Sequence, residues 1–466
     1  MSAGRATHGL VLGGGLAGML AAHVLAGHLD AVTVVERDRL PDGPADRKGV
    51  PHSRHTHILA AGGARALDQM LPGTTDALIA SGAHRLGVPN QFVACMPQGW
   101  LRRFGETHYM ISCSRGLVDW VVREQVLRDA RIDVVAAADV IGLSGDRDRV
   151  TGGRLRHRGT GTTSDIDADF VVDATGYNSG AARWLTELGL PAVPEERIDP
   201  GIFYTSRIYR APADARQGFP LIAIYFDPRL ASPLRGGVLT PIEDGRWLVT
   251  FAGVRDGAPP TDEPGFEEFA RNLRHPVIAD LIGAARPLTR PYGFRIPGNH
   301  RRHYERLTPW PDGFVVLGDA TCAFNPIYGH GMSVVARGAI ALRDGFRRYG
   351  LADGAGRRIQ HDIARTANDA WDMACGQDLR YPTTLGPRRS RMTRLRDRFM
   401  DRLTWAATGR PDVTAAWLGV LTLSTPPRRL LAPRVVLGAI RGPGRPRLND
   451  PPLTARELRI IADAST

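Results

Sequence analysis

The segment from Leu10 to Glu36 limits what this chain can fold into more than any other. A short apolar run, Leu10-Val11-Leu12, leads into Gly13-Gly14-Gly15-Leu16-Ala17-Gly18. An Ala/Leu-rich helical pattern then runs to Ala26, and Ala31-Val32-Thr33-Val34-Val35-Glu36 reads as a second strand. This is Gly-x-Gly-x-x-Gly after a strand and opening a helix, the context that gives the pattern its meaning. Gly13 permits the tight turn, Gly15 lets the backbone approach a pyrophosphate, and Gly18 lets helix and strand pack closely. The helix N-terminus offers free N–H groups to phosphates. Glu36 ends the second strand, where an acid can bind a ribose hydroxyl. Strand, helix and terminal acid together indicate a dinucleotide site.

The chain has 466 residues, enough for two or three domains. Its 43% hydrophobic and 23% charged residues are ordinary for a globular enzyme. The formal net charge of +12 is carried almost wholly by arginine, Lys48 being the only lysine. The arginines are spread over many segments, so no nucleic-acid footprint is expected. Cys95, Cys113, Cys322 and Cys375 lie far apart without a Cys-x-x-Cys pair, which indicates a reducing compartment and no structural zinc. The chain enters a strand almost at once, no apolar run reaches the ~20 residues of a membrane span, and a cytoplasmic location is expected.

In chain order, a loop rich in Pro, Gly and charge spans residues 38–54. It contains Arg47-Lys48-Gly49-Val50-Pro51-His52 and is followed by His55-x-His57. Apolar spacing predicts a helix over 59–71, a hairpin formed by 91–97 and 100–104, a helix over 117–130 and a strand over 132–136. Asp169-Phe170-Val171-Val172-Asp173 is apolar enough for a strand buried on both faces, and Ala174-Thr175-Gly176 follows it. Between Pro200 and Pro297, short runs at 202–209, 221–226, 237–241 and 247–254 predict a mostly antiparallel sheet. Short helices are expected at 266–273 and 277–284. Phe314-Val315-Val316-Leu317 returns to the buried-strand pattern, and a helix is expected from Gly331. From Arg357 onward the chain reads as helical and arginine-rich.

The run Gly318-Asp319-Ala320-Thr321-Cys322-Ala323-Phe324-Asn325-Pro326-Ile327-Tyr328-Gly329-His330-Gly331-Met332 is the most informative in the chain. A carboxylate at a strand's C-terminal end can accept hydrogen bonds from a polyol. The Gly-rich turn after it brings a helix N-terminus against whatever the loop holds.

In order and spacing, Gly-x-Gly-x-x-Gly, Asp173-Ala-Thr-Gly176 and the 318–332 run resemble the FAD-dependent monooxygenases typified by p-hydroxybenzoate hydroxylase. The resemblance covers residues 10 to about 345. It implies an α/β, Rossmann-like FAD-binding domain with an inserted, mostly antiparallel substrate domain and a helical C-terminal region. The FAD domain would comprise residues 1–85, 111–198 and 299–350, and the substrate domain a hairpin at 86–110 with residues 199–298. Residues 351–466 would form the helical tail.

By the same resemblance, FAD would be held by Gly13, Gly15, Leu16, Ala17, Gly18, Glu36 and Arg37. The loop residues Arg47, Lys48, Gly49 and Val50 and the second motif's Asp173 and Gly176 would join them. So would Gly318, Asp319, Pro326, Gly329, Gly331 and Met332. Asp319 would bind the ribityl chain, and Arg115, in Ser-Arg-x-x-Val, would match the arginine that reaches FAD. The second motif is usually Asp-Gly, and the Asp-Ala-Thr-Gly form is shared with reductase, halogenase and epoxidase branches.

Arg47-Lys48-Gly49-Val50-Pro51, His55-x-His57 and the tail around Pro426-Pro427 and Leu430-Leu431 look like the flavin epoxidases of bacterial polyether biosynthesis. That resemblance implies NAD(P)H as reductant, O2 as co-substrate and a flavin C4a-hydroperoxide that epoxidises a hydrophobic polyene or linear polyketide. An aromatic hydroxylase and a flavin-linked reductase of an isoprenoid or other lipid are the alternatives. Flavin-dependent halogenases use a catalytic lysine and Trp-x-Trp-x-x-x-Pro, and the latter is absent. Tyr225, Tyr292, Tyr328 and His330 are candidates to line a substrate pocket. His55 and His57 lack a third ligand nearby, so no metal is expected. Membrane contact is not expected either, the apolar segment 415–423 being read as a helix packed on the FAD domain.

Overall fold

The computed structural model describes residues 6–230, 233–295 and 298–462. Residues 1–5 of the expected first segment, the expected boundary at Pro297 and residues 463–466 of the tail lie outside the described residues. The frame is a five-stranded parallel sheet whose order is Phe314–Val316, Phe170–Asp173, His8–Leu12, Ala31–Glu36, Ile132–Ala136. Leu10 pairs with Val171 on one side and Thr33 on the other. Leu10, Leu12, Val171, Val172, Val315 and Val316 are inaccessible, as expected for strands covered on both faces. Helices Leu16–Ala26, Arg115–Val126 and Gly331–Tyr349 share the core on one face. Trp184, Tyr304 and Trp310 pack on the other, with a three-stranded antiparallel sheet formed by Ala138–Gly145, Val150–His157 and Thr163–Asp167.

That small sheet is absent from the sequence reading. Its last strand, Thr163–Asp167, has four of five residues exposed and so carries no apolar period. Two other differences are local. Residues 58–60 form a strand before the helix Ala61–Met70, and the second arm of the expected hairpin is only Gly99–Trp100.

An eight-stranded sheet carries the second core. Strands Ile202–Arg210, Arg246–Val254, Arg235–Ile242 and Leu221–Ile224 follow one another antiparallel, and Phe92–Met96 joins Leu221–Ile224 in parallel. Strand alternation divides its faces. Ile222, Leu239, Val249 and Phe251 pack on helices Glu263–Arg271 and Val277–Gly283, whereas Leu221, Ala223, Thr250 and Ala252 face a cavity. Strands His84–Val88 and His108–Ser112, which straddle the bounds of the expected 86–110 hairpin, pair with each other, and His108–Ser112 also pairs with Ile58–Ala60 in a separate sheet. Helices Arg391–Ala407, Pro411–Leu421 and Pro433–Arg441 pack together over Phe92, Met110, Leu221 and Ala223. Among the described residues no helix is long and apolar enough to cross a membrane.

Candidate functional site

Four loops meet at the C-terminal edge of the parallel sheet, where open α/β sheets bind ligands. Gly13 has φ +101°, and a Cβ there would lie 2.6 Å from the Ala174 carbonyl oxygen. A Cβ on Gly18 would lie 1.7 Å from the Gly13 oxygen, so the turn closes only with glycine at both positions. Gly15 caps the helix, and among the described residues the only atom within 4 Å of an added Cβ is Arg47 Nη2 at 3.9 Å. Leu16 is buried in the core and Ala17 packs against it, leaving their backbone for a ligand.

Glu36 is buried at its strand end, where its Oε2 accepts the Gly14 N–H at 2.7 Å and its Oε1 the Asp38 N–H at 2.9 Å. Arg47 bridges Glu36 (3.3 Å) and Asp119 (3.6 Å), and Asp119 also accepts from Arg115 Nε at 2.9 Å. Arg47 Nη1 is buried without a hydrogen-bond acceptor. Its Nη1 faces Glu36 as an ion pair without hydrogen-bond geometry, and the two carboxylates hold the guanidinium beside the glycine turn. Gly49 donates to Asp38 at 2.7 Å, which fixes the loop, and Val50 caps the short helix after it. Arg37 and Lys48, also expected around the dinucleotide, are exposed. Asp119 escaped the sequence reading, although its position four residues after Arg115 on a helix is an ion-pair spacing.

Asp173 requires a correction. It is inaccessible, and its carboxylate accepts Thr175 N–H (2.9 Å), Thr175 Oγ1 (2.6 Å) and the Ser179 hydroxyl. It shapes the loop from within and is not free to touch a cofactor. Gly176, at φ +83°, has open space where its Cβ would be.

Asp319 behaves differently. It is half-buried and has no hydrogen-bond or ion-pair partner among the described residues. Burial raises its pKa above the usual carboxylate value, and Arg115 pulls it back. Gly318 before it has φ +72° and abuts Ala17. Beyond the loop, Gly331 opens a 19-residue helix with open space at its Cβ position, and Met332 is buried behind it. An unpartnered carboxylate, two glycine turns and two helix N-termini along one edge fit an extended dinucleotide with a polyol linker.

The loop's far end, Pro326–Gly329, forms one wall of a cavity of about 140 Å³. The opposite wall is the substrate-sheet face, with Tyr204, Leu221, Ala223, Tyr225, Val238 and Thr250, and Leu421 of the C-terminal region closes another side. Tyr225 and Tyr328 therefore line the cavity as expected, while Tyr292 and His330 do not. Tyr292 stacks under Arg54, 4.5 Å from its ring centroid. His330 is buried, its Nε2 3.2 Å from the Leu421 carbonyl.

Three histidines, His52, His55 and His57, also line the cavity. Burial lowers His52 and His55 to about 4 and His57 well below its usual value. All three are neutral near pH 7. His57 Nδ1 donates to the His55 carbonyl at 2.8 Å, which leaves the lone pair on Nε2. His55 Nδ1 meets Ser206 Oγ at 2.7 Å, and Ser206 meets Thr250 Oγ1 at 2.6 Å. No described group of histidine, cysteine and acid is arranged to hold a metal ion.

A second polar network, unseen in the sequence, fastens the loop. Asp378 accepts from Tyr328 OH (2.5 Å), Asn299 Nδ2 (2.6 Å) and Asn325 Nδ2 (3.1 Å), and Asn325 Oδ1 accepts from Tyr204 OH at 2.6 Å. Burial pushes the Asp378 carboxyl up to about 6.

Known proteins are similar to this chain in sequence or in fold. Protein Rv3254 of Mycobacterium tuberculosis (strain ATCC 25618 / H37Rv) is 29% identical over 421 residues, covering 88% of each chain. Among solved structures, the flavin-dependent brominase Bmp2 superposes with a TM-score of 0.66 at 15% identity, over 93% of this chain and 98% of that one. The p-nitrophenol 4-monooxygenase PnpA of Pseudomonas putida DLL-E4 gives 0.59 at 17%, over 90% and 97%. At such identities these structures establish a shared fold. The family described as FAD binding domain matches residues 6–345, and the chain belongs to that family.

Proposed function

We propose that the chain is an FAD-dependent monooxygenase that consumes NAD(P)H and O2 and epoxidises an alkene of a hydrophobic, linear polyketide of the polyether type. The observation that carries this reading is the position of the cavity, between the Pro326–Gly329 end of the cofactor loop and an apolar sheet face. The reaction balances as alkene, O2, NAD(P)H and one proton giving epoxide, water and NAD(P)+. FAD, when bound, would supply the electron carrier and the oxygen-activating centre. Asp319 would hold its polyol, Glu36 its adenosine ribose, and Arg47 with the Gly13–Gly18 turn its pyrophosphate. Leu221, Ala223, Val238 and Ala252 exclude water from the substrate, and Pro326–Gly329 sets its distance from the cofactor. Lys48, the only lysine, is exposed and does not line the cavity, which speaks against halogenation.

Hydroxylation of a phenol-like substrate is the second reading, favoured by the neutral His57, whose Nε2 can accept a substrate hydroxyl proton. One experiment separates the readings. Purified protein is expected to be yellow, and colourless protein that cannot be reconstituted with FAD refutes both. With NAD(P)H, O2 and a polyene, the product should gain one oxygen atom for each alkene attacked. Oxygen gain only on a phenol supports hydroxylation, and a product gaining two hydrogens supports the reductase.

A further inference from the structure

The positive charge of this protein is not spread along it. Between Arg388 and Arg447 the chain carries fourteen arginines against three aspartates and no glutamate, a local net charge of +11 out of +12 for the whole chain. Two of the aspartates are occupied, Asp397 by Arg389 and Asp401 by Arg380.

The same segment exposes large apolar side chains. Leu431, Leu437 and Ile440 are 66%, 44% and 63% accessible, and Met392 and Leu395 are 73% and 60% accessible. On helix Pro433–Arg441 the buried side is Val435, Gly438 and Ala439. Helical spacing puts Leu437 and Ile440 at the centre of the opposite side, beside Arg434 and Arg441. Helix Arg391–Ala407 repeats the pattern, with Leu395 between Arg391 and Arg398. The two faces join, because Arg402, about two turns along from Leu395, donates to the carbonyls of Ala439 (3.0 Å) and Ile440 (2.7 Å).

We infer that this face docks on a bilayer bearing anionic headgroups, with Leu431, Leu437 and Ile440 entering the interface and the surrounding arginines holding lipid phosphates. Charge complementarity selects this occupant. A purely electrostatic partner explains the arginines but not the leucines and isoleucine among them, whereas an interfacial helix needs both. The inner side of the same helical layer packs on Phe92, Met110, Leu221 and Ala223, which line the cavity. The docking face and the cavity are thus the two sides of one thin layer, which suits a substrate delivered from lipid.

Sedimentation of the FAD-loaded protein with vesicles tests this without reference to activity. Binding to vesicles of equal parts phosphatidylcholine and phosphatidylglycerol, absent with phosphatidylcholine alone and weakened by salt, is expected. Arg434→Gln with Arg441→Gln should weaken it about fivefold per arginine. Leu437→Ser with Ile440→Ser should weaken it about tenfold with FAD content unchanged. The inference is overturned if mixed vesicles leave the protein in the supernatant, or if the double serine variant sediments like the parent. It is equally overturned if that variant instead converts a dimer to a monomer without vesicles, or if duplex DNA at the same salt competes fully for the face.

Discussion

Gly318 and Ala17 stand 301 positions apart, yet a Cβ on Gly318 would lie 2.9 Å from the Cβ of Ala17. The first glycine-rich turn and the last cofactor loop are thereby packed backbone against side chain, at a residue whose φ of +72° already favours glycine. Gly318→Ala should lower stability by about 1–2 kcal/mol from the left-handed backbone alone, with the steric clash added. Ala17→Gly in the same chain should recover the clash and not the backbone cost. Denaturant unfolding of the three proteins checks both parts.

Asp319 has no hydrogen-bond or ion-pair partner among the described residues, so Asp319→Asn should leave the apoprotein's unfolding midpoint nearly unchanged. Hydrogen bonds involving a charged group contribute about 1.5–3 kcal/mol, so FAD affinity should fall roughly 10- to 100-fold. Titration of apoprotein followed by flavin fluorescence measures it, and unaltered affinity would remove Asp319 from the site.

Asp378 makes the fold sensitive to pH in one direction. Its folded pKa of about 6 exceeds the ordinary 3.8, so the folded state favours the protonated acid. That contribution is complete below pH 3.8 and is lost as pH rises through about 6, roughly 3 kcal/mol in all. In Asp378→Asn this part of the pH dependence should vanish. Loosening of the Tyr328 contact should also show as a changed flavin spectrum on substrate binding.

The cavity histidines act in the opposite direction. With folded values near 4 against 6.5 ordinarily, His52 and His55 contribute stability that is present above pH 6.5 and lost as pH falls towards 4. Each accounts for about 3 kcal/mol by pH 4. His52→Gln should therefore lose less stability than the parent between pH 6.5 and 4, as thermal unfolding at both pH values would show.

What the sequence disclosed follows the strength of its physical signals. Three strands of the parallel sheet were legible because burial on both faces leaves continuous apolar runs such as Phe170–Val172 and Phe314–Val316. Gly13, Gly18 and Gly318 were legible because a clash or a positive φ demands glycine. The direction of a side chain was not. Asp173 turns inward while Asp319 stays free, and Tyr328 lines the cavity while Tyr292 stacks under Arg54 outside its lining, although each pair looks alike in sequence. Asp378 lies 53 residues from Asn325, and nothing local ties them. The arginine-rich tail was legible in the sequence, but which of its apolar side chains stay exposed among the arginines was not.

The matched family region ends at residue 345, yet the turn at 421–423 is built into it. The Thr422 carbonyl accepts the Gly62 N–H at 2.9 Å, the Leu421 carbonyl meets His330, and the Leu423 carbonyl takes Arg337. Leu421 then closes the cavity. Gly62 has no room for a side chain, since a Cβ would lie 2.1 Å from the Leu423 oxygen. The tail is therefore a keystone rather than an appendage. A recombinant chain exchanged after residue 345 would keep every cofactor signature while acquiring a different chamber, so new substrate ranges in such proteins can arise by trading tails above a constant engine.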